Sequence, residues 1–176
     1  MIISIEKAKS LVDLDGWDDE KIEMKLSAIE QAIRSYTNNR FHVLTVRSHC
    51  SIENGYICGL VYGFKIGDTV QISQSQYNDG LYVVESIDEA NNRLSVGDLT
   101  DEPFVLATKV AYPADVVAVA VNMLEWEKKN REKVGIQSET LSRHFVTYFN
   151  MGAADQVMGY PSSLLGGLKP YRKVRF

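Results

Sequence analysis

Apolar residues change their spacing twice along this chain of 176 residues. Before residue 42 and after residue 112 they recur at intervals of three and four, whereas between these points they form short alternating or β-branched runs. Apolar residues spaced three and four apart cannot all lie on one face of a strand, because successive strand residues point to opposite faces. We therefore expect an α+β fold with a β-module, 42–112, inserted into a helical core of three to four helices, 1–41 and 113–168.

The N-terminal part predicts a short helix at about 4–14 and a longer one at about 19–37. Asp18 stands at the N-cap position of the longer helix, and Asp19 and Glu20 in its first turn complement the helix dipole. Its apolar residues are spaced four, three, four and three, which produces one stripe along a helix. The residues of this stripe are Ile22, Leu26, Ile29, Ile33 and Tyr36.

The middle part contains five short β-branched or alternating runs separated by turn sequences such as Asn54-Gly55 and Gly67-Asp68. The runs are Val43–Val46, Thr69–Ile72, Leu81–Val84, Arg93–Val96 and Phe104–Leu106. This pattern favours a small antiparallel barrel or curled sheet. The stretch Gly67–Val96 resembles the SH3-like barrels that are common in phage connector and tail proteins.

The C-terminal part returns to helical spacing. Pro113 is well placed at the first position of a helix that continues to about Asn130, and Pro161–Leu168 predicts a last short helix. In the helix after Pro113, one set of residues follows helical spacing, namely Val116, Val119, Ala120, Met123, Leu124 and Glu127. Two helices of about 18 residues bury little surface by themselves, so we expect the chain to gain stability by self-association.

Positive charge is concentrated at the C-terminus. The chain has 19 basic and 23 acidic residues, and the last eight residues hold four of the bases and no acid. A mildly acidic chain does not favour binding to nucleic acid over a broad surface, whereas a basic segment favours docking on a partner or a sister subunit. We therefore predict an extended docking tail, 169–176, that binds through Lys169, Tyr171, Arg172, Lys173, Val174, Arg175 and Phe176.

Residue types that carry catalytic or metal chemistry are present, but their spacing favours structural roles. His42, His49, Cys50 and Cys58 lack the short paired spacing of zinc ligands. No serine has a Gly-x-Ser-x-Gly setting, and no glycine-rich segment precedes Lys-Ser/Thr as in a phosphate loop. The acids of 13–20 lack the glycine and final glutamate of a calcium loop. We therefore expect no enzyme activity, no catalytic residues, no metal ion and no other cofactor.

Sequence features also bear on the cellular compartment. Two cysteines are too few for a disulfide scaffold, which is consistent with a reducing environment. Glu6 interrupts the N-terminal apolar residues, unlike in a signal peptide. No apolar run approaches the roughly 20 residues that cross a bilayer. We expect a protein made inside the cell, without a membrane partner.

Segments at both ends of the chain resemble head–tail connector proteins, the head-completion adaptors of tailed phages and prophages. One segment is the helix end Ile33–Phe41, with Tyr36-Thr37-Asn38-Asn39-Arg40-Phe41; the others are Gly135–Tyr148 and Tyr160-Pro161 followed by Leu168–Phe176. Two departures are Ser142, where the family often has glycine, and a β-module far longer than the connection in many relatives.

The resemblance implies a non-enzymatic structural protein of the virion, located at the head–tail interface. Such adaptors form a homo-oligomeric ring, usually of about twelve copies, between the portal protein and the next connector, stopper or tail protein. DNA passes through the ring without sequence-specific binding. The residues alone leave an alternative open, in which the β-module is a small barrel that binds oligosaccharide or nucleic acid and the helices tether it.

Overall fold

The computed structural model describes residues 1–130, 138–141, 144–147 and 156–174. The chain divides into two compact units. The β-unit consists of Met1–Ser4 and Arg40–Pro113, and the helical unit consists of Ile5–Asn39 and Ala114–Phe176. The segment that we expected to form the insertion, 42–112, lies within the β-unit, and the first four residues of the chain join it.

The described part of the helical unit contains α1 (Ile5–Leu11), α2 (Asp19–Thr37), α3 (Ala114–Asn130) and a 3₁₀ helix (Gly166–Tyr171). The predicted N-cap of α2 is confirmed, because the Asp18 carboxylate accepts a hydrogen bond from the Lys21 N–H at 2.8 Å. The helix ends at Asn38, whose φ of 48° places it in the left-handed region. None of the described helices is long and apolar enough to span a membrane.

Burial in the helical unit follows the predicted stripes. Ile22, Leu26, Ile29 and Ile33 of α2 are all fully buried, whereas Tyr36 is half-buried. Burial of one such side chain contributes about 1.5–3 kcal/mol relative to its exposure. The residues of α3 that follow the predicted helical spacing are buried, namely Val116, Val119, Ala120, Met123, Leu124 and Glu127.

The β-unit contains seven strands in one antiparallel sheet with the order β4-β3-β7-β1-β2-β6-β5. The strands are β1 (His42–Glu53), β2 (Tyr56–Cys58), β3 (Thr69–Ser73), β4 (Gly80–Val83), β5 (Ser86–Asp88), β6 (Arg93–Ser95) and β7 (Glu102–Val110). The α+β class is therefore confirmed. Strand pairing does not close the sheet into a barrel, since no ladder joins β4 to β5 in this fully described part of the chain.

The sheet is curled. β4 and β5 occupy opposite edges of the strand order, yet only Val84 and Glu85 separate them along the chain. Because the three Cα–Cα steps from Val83 to Ser86 span at most about 11 Å, the edges of the sheet must approach each other. The apolar side chains on the inner face form the core of the β-unit, including the fully buried Ile57, Val70 and Leu94.

Two short hairpins complete the described chain, β8 (Ser138–Leu141) with β9 (His144–Thr147) and β10 (Gln156–Val157) with β11 (Tyr160–Pro161). The second hairpin replaces the start of the short helix that we predicted at 161–168. Tyr160 precedes a proline, which favours extended backbone, and its buried ring packs 5.4 Å from the ring of Trp126. Single turns closed by hydrogen bonds such as that from the Leu164 N–H to the Pro161 carbonyl follow, and the 3₁₀ helix begins at Gly166.

The C-terminal tail is not extended over its whole predicted length. Lys169 and Tyr171 lie in the 3₁₀ helix, which includes Pro170. The fixed φ of proline suits a helical turn, and this helix of six residues is longer than most 3₁₀ helices. Extended backbone starts at Arg172, whose φ and ψ are −68° and 125°. Arg175 and Phe176 lie outside the described residues.

Candidate partner-binding surface

The C-terminal segment Lys169–Val174 is bonded to the end of α2 within the helical unit. The Lys173 N–H donates to the carbonyl oxygen of Thr37 at 2.7 Å. The last carbonyl groups of a helix lack partners inside the helix, so this bond satisfies one of them. The side-chain amides of Asn39 and Asn38 donate to the carbonyl oxygens of Tyr171 (3.3 Å) and Val174 (3.4 Å).

Two side chains of the segment attach it to the helices. The Tyr171 hydroxyl donates to the Asp115 carboxylate at the start of α3, at 2.8 Å from each oxygen. This hydrogen bond raises the pKa of Tyr171 above its ordinary value. The Arg172 guanidinium lies 5.1 Å from the centre of the Tyr36 ring, a cation–π distance. Tyr171 and Arg172 therefore make contacts within their own unit.

Five residues of the segment are exposed, namely Lys169, Pro170, Arg172, Lys173 and Val174. The Arg172 guanidinium already contacts the Tyr36 ring, so the charged and apolar side chains that we consider for a partner are Lys169, Lys173 and Val174, of which Val174 is 73% exposed. Two ammonium groups beside an apolar side chain, on backbone that is already ordered, form a surface suited to an acidic partner with an apolar contact. We take these three residues as the candidate partner-binding surface; Arg175 and Phe176 were also predicted to bind but are not described.

The residues that hold this surface in place could not be identified directly from the sequence. In the sequence, Asn38-Asn39 indicates only the end of a helix, and no pattern singles out Asp115. The available signal was the resemblance itself, since it links the helix end Ile33–Phe41 with the C-terminal Leu168–Phe176. Contacts between residues more than 130 positions apart cannot be derived from local spacing.

The histidines and cysteines of the β-unit have separate surroundings. His42 Nε2 lies 2.8 Å from Gln71 Oε1, and the His49 ring stacks on Phe104 with ring centres 4.4 Å apart. Burial raises the pKa of the Cys50 thiol to about 11, which disfavours the reactive thiolate. Among the residues that the structure describes, no three His, Cys, Asp or Glu side chains are grouped to hold a metal ion.

A shallow recess of about 370 Å³ lies beside the β1–β2 hairpin. Stacking of a sugar or base on Tyr56 would need an open ring face. The Arg93 guanidinium lies 4.4 Å from the centre of the Tyr56 ring and covers one face. The recess is lined by Asn54, Gly55, Tyr56, Ser95, Gly97, Asp98 and Leu99.

Comparison with known proteins does not assign the chain to a family. No protein-family model and no curated protein matches the chain. The functional conclusion therefore depends on the sequence pattern and on the geometry described above.

Proposed function

We propose that the chain is a head–tail adaptor of a tailed phage or prophage, a non-enzymatic subunit of a ring at the head–tail interface of the virion. The observation that carries the proposal is the contact between the end of α2 and the C-terminal segment. These segments carry the family-like sequences, and they bond to each other through Thr37, Asn38 and Asn39. A resemblance made of distant pieces is more specific when those pieces form one local structure.

The same geometry supports particular roles for the parts of the chain. The exposed Lys169 and Lys173 form the contact with the portal protein or a neighbouring subunit. Copies that meet through two different surfaces close into a ring when the rotation per subunit is right. The acidic balance of the chain disfavours tight DNA binding, so DNA passes the ring without sequence-specific contacts. The curled β-unit is an SH3-like module added to this adaptor, and it provides a further contact surface.

The copy number per particle tests the proposal. Quantitative mass spectrometry of purified particles should find about twelve copies of the chain for each portal ring. The portal protein and the major capsid protein, measured in the same digest, provide the internal standards. A chain that is absent from particles, or present in one or two copies, would contradict the ring.

The alternative, a ligand-binding β-module, is supported by the recess at the β1–β2 hairpin alone. Titration of the full chain with neutral oligosaccharides and with short single-stranded oligonucleotides separates the two functions. Binding that an Asp98→Ala variant loses would favour the alternative. If titration with either kind of ligand leaves the spectrum of the β-unit unchanged, the adaptor function is favoured.

A further inference from the structure

The turn between β1 and β2 contains a chemically labile pair of residues. Asn54-Gly55 is the one place in the sequence where glycine directly follows asparagine. Asparagine is a thermolabile residue, and glycine has no side chain that hinders the approach of its backbone nitrogen to the preceding side chain. Asn54 is exposed and lines the shallow recess beside the hairpin, so water reaches its amide group.

The reaction open to this pair is deamidation, which consumes one water molecule and releases one ammonia. The Gly55 nitrogen, after losing its proton to solvent, attacks the side-chain carbonyl carbon of Asn54, Cγ. The new N–C bond closes a five-membered succinimide ring, and the side-chain nitrogen of Asn54 takes up protons from water and leaves as ammonia. Water then opens the ring at either carbonyl group, which gives aspartate or isoaspartate. No oxidant or reductant is required, because no atom changes its oxidation state.

The native turn opposes this ring closure. Asn54 and Gly55 have φ values of 52° and 77°, and they connect the paired residues Glu53 and Tyr56 of the two strands. A two-residue turn with positive φ at both positions is the hairpin geometry that Asn-Gly favours. Closure of the ring requires the 54–55 peptide group to rotate until its nitrogen lies in near-attack geometry, about 3–3.5 Å from Asn54 Cγ. The hairpin must therefore open locally before the reaction proceeds.

Asp101 restrains the same nitrogen from a distant part of the chain. The Gly55 N–H donates to Asp101 Oδ1 at 3.0 Å. This bond has to break before the peptide group rotates, and a bond to a charged acceptor is stronger than one between neutral groups. The attacking nitrogen also carries a negative charge after it loses its proton, and a nearby carboxylate disfavours that charge. Asp101 therefore opposes both the rotation and the deprotonation.

Other asparagines of the β-unit lack this combination of features. Asn78 is buried, and its side chain bonds to the carbonyl group and the N–H of Thr100, at 2.8 Å each. Asn91 and Asn92 are exposed in the β5–β6 turn, but Asn92 and Arg93 follow them in place of glycine. Their larger side chains hinder the attack. These three asparagines are therefore internal standards for a measurement at Asn54.

We infer that Asn54 is a site of spontaneous deamidation that the native hairpin suppresses, and that Asp101 holds the hairpin in its protected state. The inference does not depend on the adaptor function. Both products carry a new carboxylate close to Asp101, and like charges at short range repel each other. Isoaspartate also adds one methylene group to the backbone of the turn, which alters the register that the turn sets. Deamidation at Asn54 therefore leaves a lasting record that the hairpin has opened.

Incubation of the full chain at mildly alkaline pH, followed by digestion and mass spectrometry, measures conversion at Asn54. The native wild type should convert more slowly than the same chain unfolded in guanidinium chloride, by a factor on the order of ten or more. Asp101→Ala should convert about three- to ten-fold faster than the native wild type, because one hydrogen bond is lost. Asp98→Ala is the matched control, since Asp98 is exposed and lines the same recess, whereas the Gly55 N–H bonds to Asp101. It should convert like the wild type.

A second variant separates the role of Asp101 from a loss of folding. Far-UV circular dichroism checks that each variant is folded, and Asp101→Asn keeps the shape of the side chain without its charge, so it decides the matter if Asp101→Ala does not fold. Asp101→Asn should convert faster than the wild type and no faster than Asp101→Ala. Conversion of the native wild type at the rate of the unfolded chain would overturn protection by the hairpin. Wild-type rates in the folded Asp101 variants, or equal acceleration by Asp98→Ala, would overturn the role of Asp101.

Discussion

Glu102 shows how one carboxylate can order a loop. It accepts hydrogen bonds from the Gln76 N–H at 2.7 Å, from the Asn78 amide at 2.5 Å and from the Ser75 hydroxyl. The bond from Ser75 is the largest cause that lowers the pKa of Glu102, and the bonds from Gln76 and Asn78 act in the same direction. The loop before β4 is therefore held in place by a charged group that accepts three bonds.

The first prediction concerns the pH dependence of this group. Because its pKa is lowered by folding, the ionised carboxylate stabilises the fold above the ordinary glutamate pKa of about 4.3, and the stabilisation is lost as the pH falls below it. A Glu102→Gln variant should melt at a lower temperature than the wild type near pH 7, and the difference should shrink near pH 3. Differential scanning fluorimetry measures both.

Glu89→Gln is the control, because Glu89 is exposed in the turn between β5 and β6. It should melt like the wild type near pH 7. If Glu102→Gln lowers the melting temperature by the same amount at both pH values, the ionised carboxylate is not the cause of the lower stability.

Between elements, a charged pair joins α2 to α3. Lys25 Nζ lies 2.9 Å from Glu127 Oε2, and the Glu127 side chain is 2% exposed. The second prediction is that Lys25→Met lowers the free energy of unfolding by about 3 kcal/mol, because a buried carboxylate loses its ammonium partner. Urea denaturation measures this change.

Lys9→Met provides the matched control. Lys9 pairs with Asp19, but both side chains are about half exposed or more, and such pairs contribute at most about 1 kcal/mol. The double variant Lys25→Met with Glu127→Leu should recover much of the lost stability, since apolar groups replace both charges. Equal effects of Lys9→Met and Lys25→Met would contradict this assignment.

The third prediction separates the two roles of the C-terminal segment. Replacing Lys169 and Lys173 by serine removes exposed charge and keeps the backbone bond from residue 173 to Thr37. Stability should change by less than about 0.5 kcal/mol, while binding to the portal protein should weaken on the order of ten-fold. Deleting 169–176 removes that backbone bond as well, so we expect the truncated chain to lose stability in addition to attachment.

Surface plasmon resonance with immobilised portal protein measures the binding. Lys7→Ser with Lys9→Ser is the control, because both lysines are exposed on α1. Unchanged binding after the loss of Lys169 and Lys173 would contradict a docking role for the segment.

Local rules explain which elements could be predicted from the sequence. The bounds of α2 follow from the cap at Asp18 and the stop at Asn38, and its buried face follows from the spacing of four apolar residues. The positions of β3, β4, β6 and β7 and the start of β1 follow from β-branched runs between turn residues, whereas β2 and β5 correspond to no predicted run. The order of the strands does not, because pairing such as that of β3 with β7 depends on contacts far apart in sequence.

The candidate surface was only partly predictable for the same reason. Charge at the C-terminus indicated a docking segment, and Lys169 and Lys173 are exposed. The 3₁₀ helix and the bond from Lys173 to Thr37 depend on tertiary packing. Glu127 was predicted only to follow the helical spacing of α3, and its partner Lys25 lies 102 residues earlier.

At the scale of the whole molecule, the net charge is small although acidic and basic residues are unevenly distributed along the chain. The chain carries −4 overall, whereas its last eight residues hold four bases and no acid, so that the other 168 residues carry −8. This distribution separates a basic C-terminal segment from an acidic remainder of the chain. Such surfaces favour ordered assembly with defined neighbours over non-specific association.

Native mass spectrometry of the purified full-length chain tests the central claim most directly. We expect one closed oligomer of about twelve copies, formed as the protein concentration rises and dissociated by high salt. A chain that remains monomeric at high concentration, and that does not bind the portal protein, would contradict the adaptor ring.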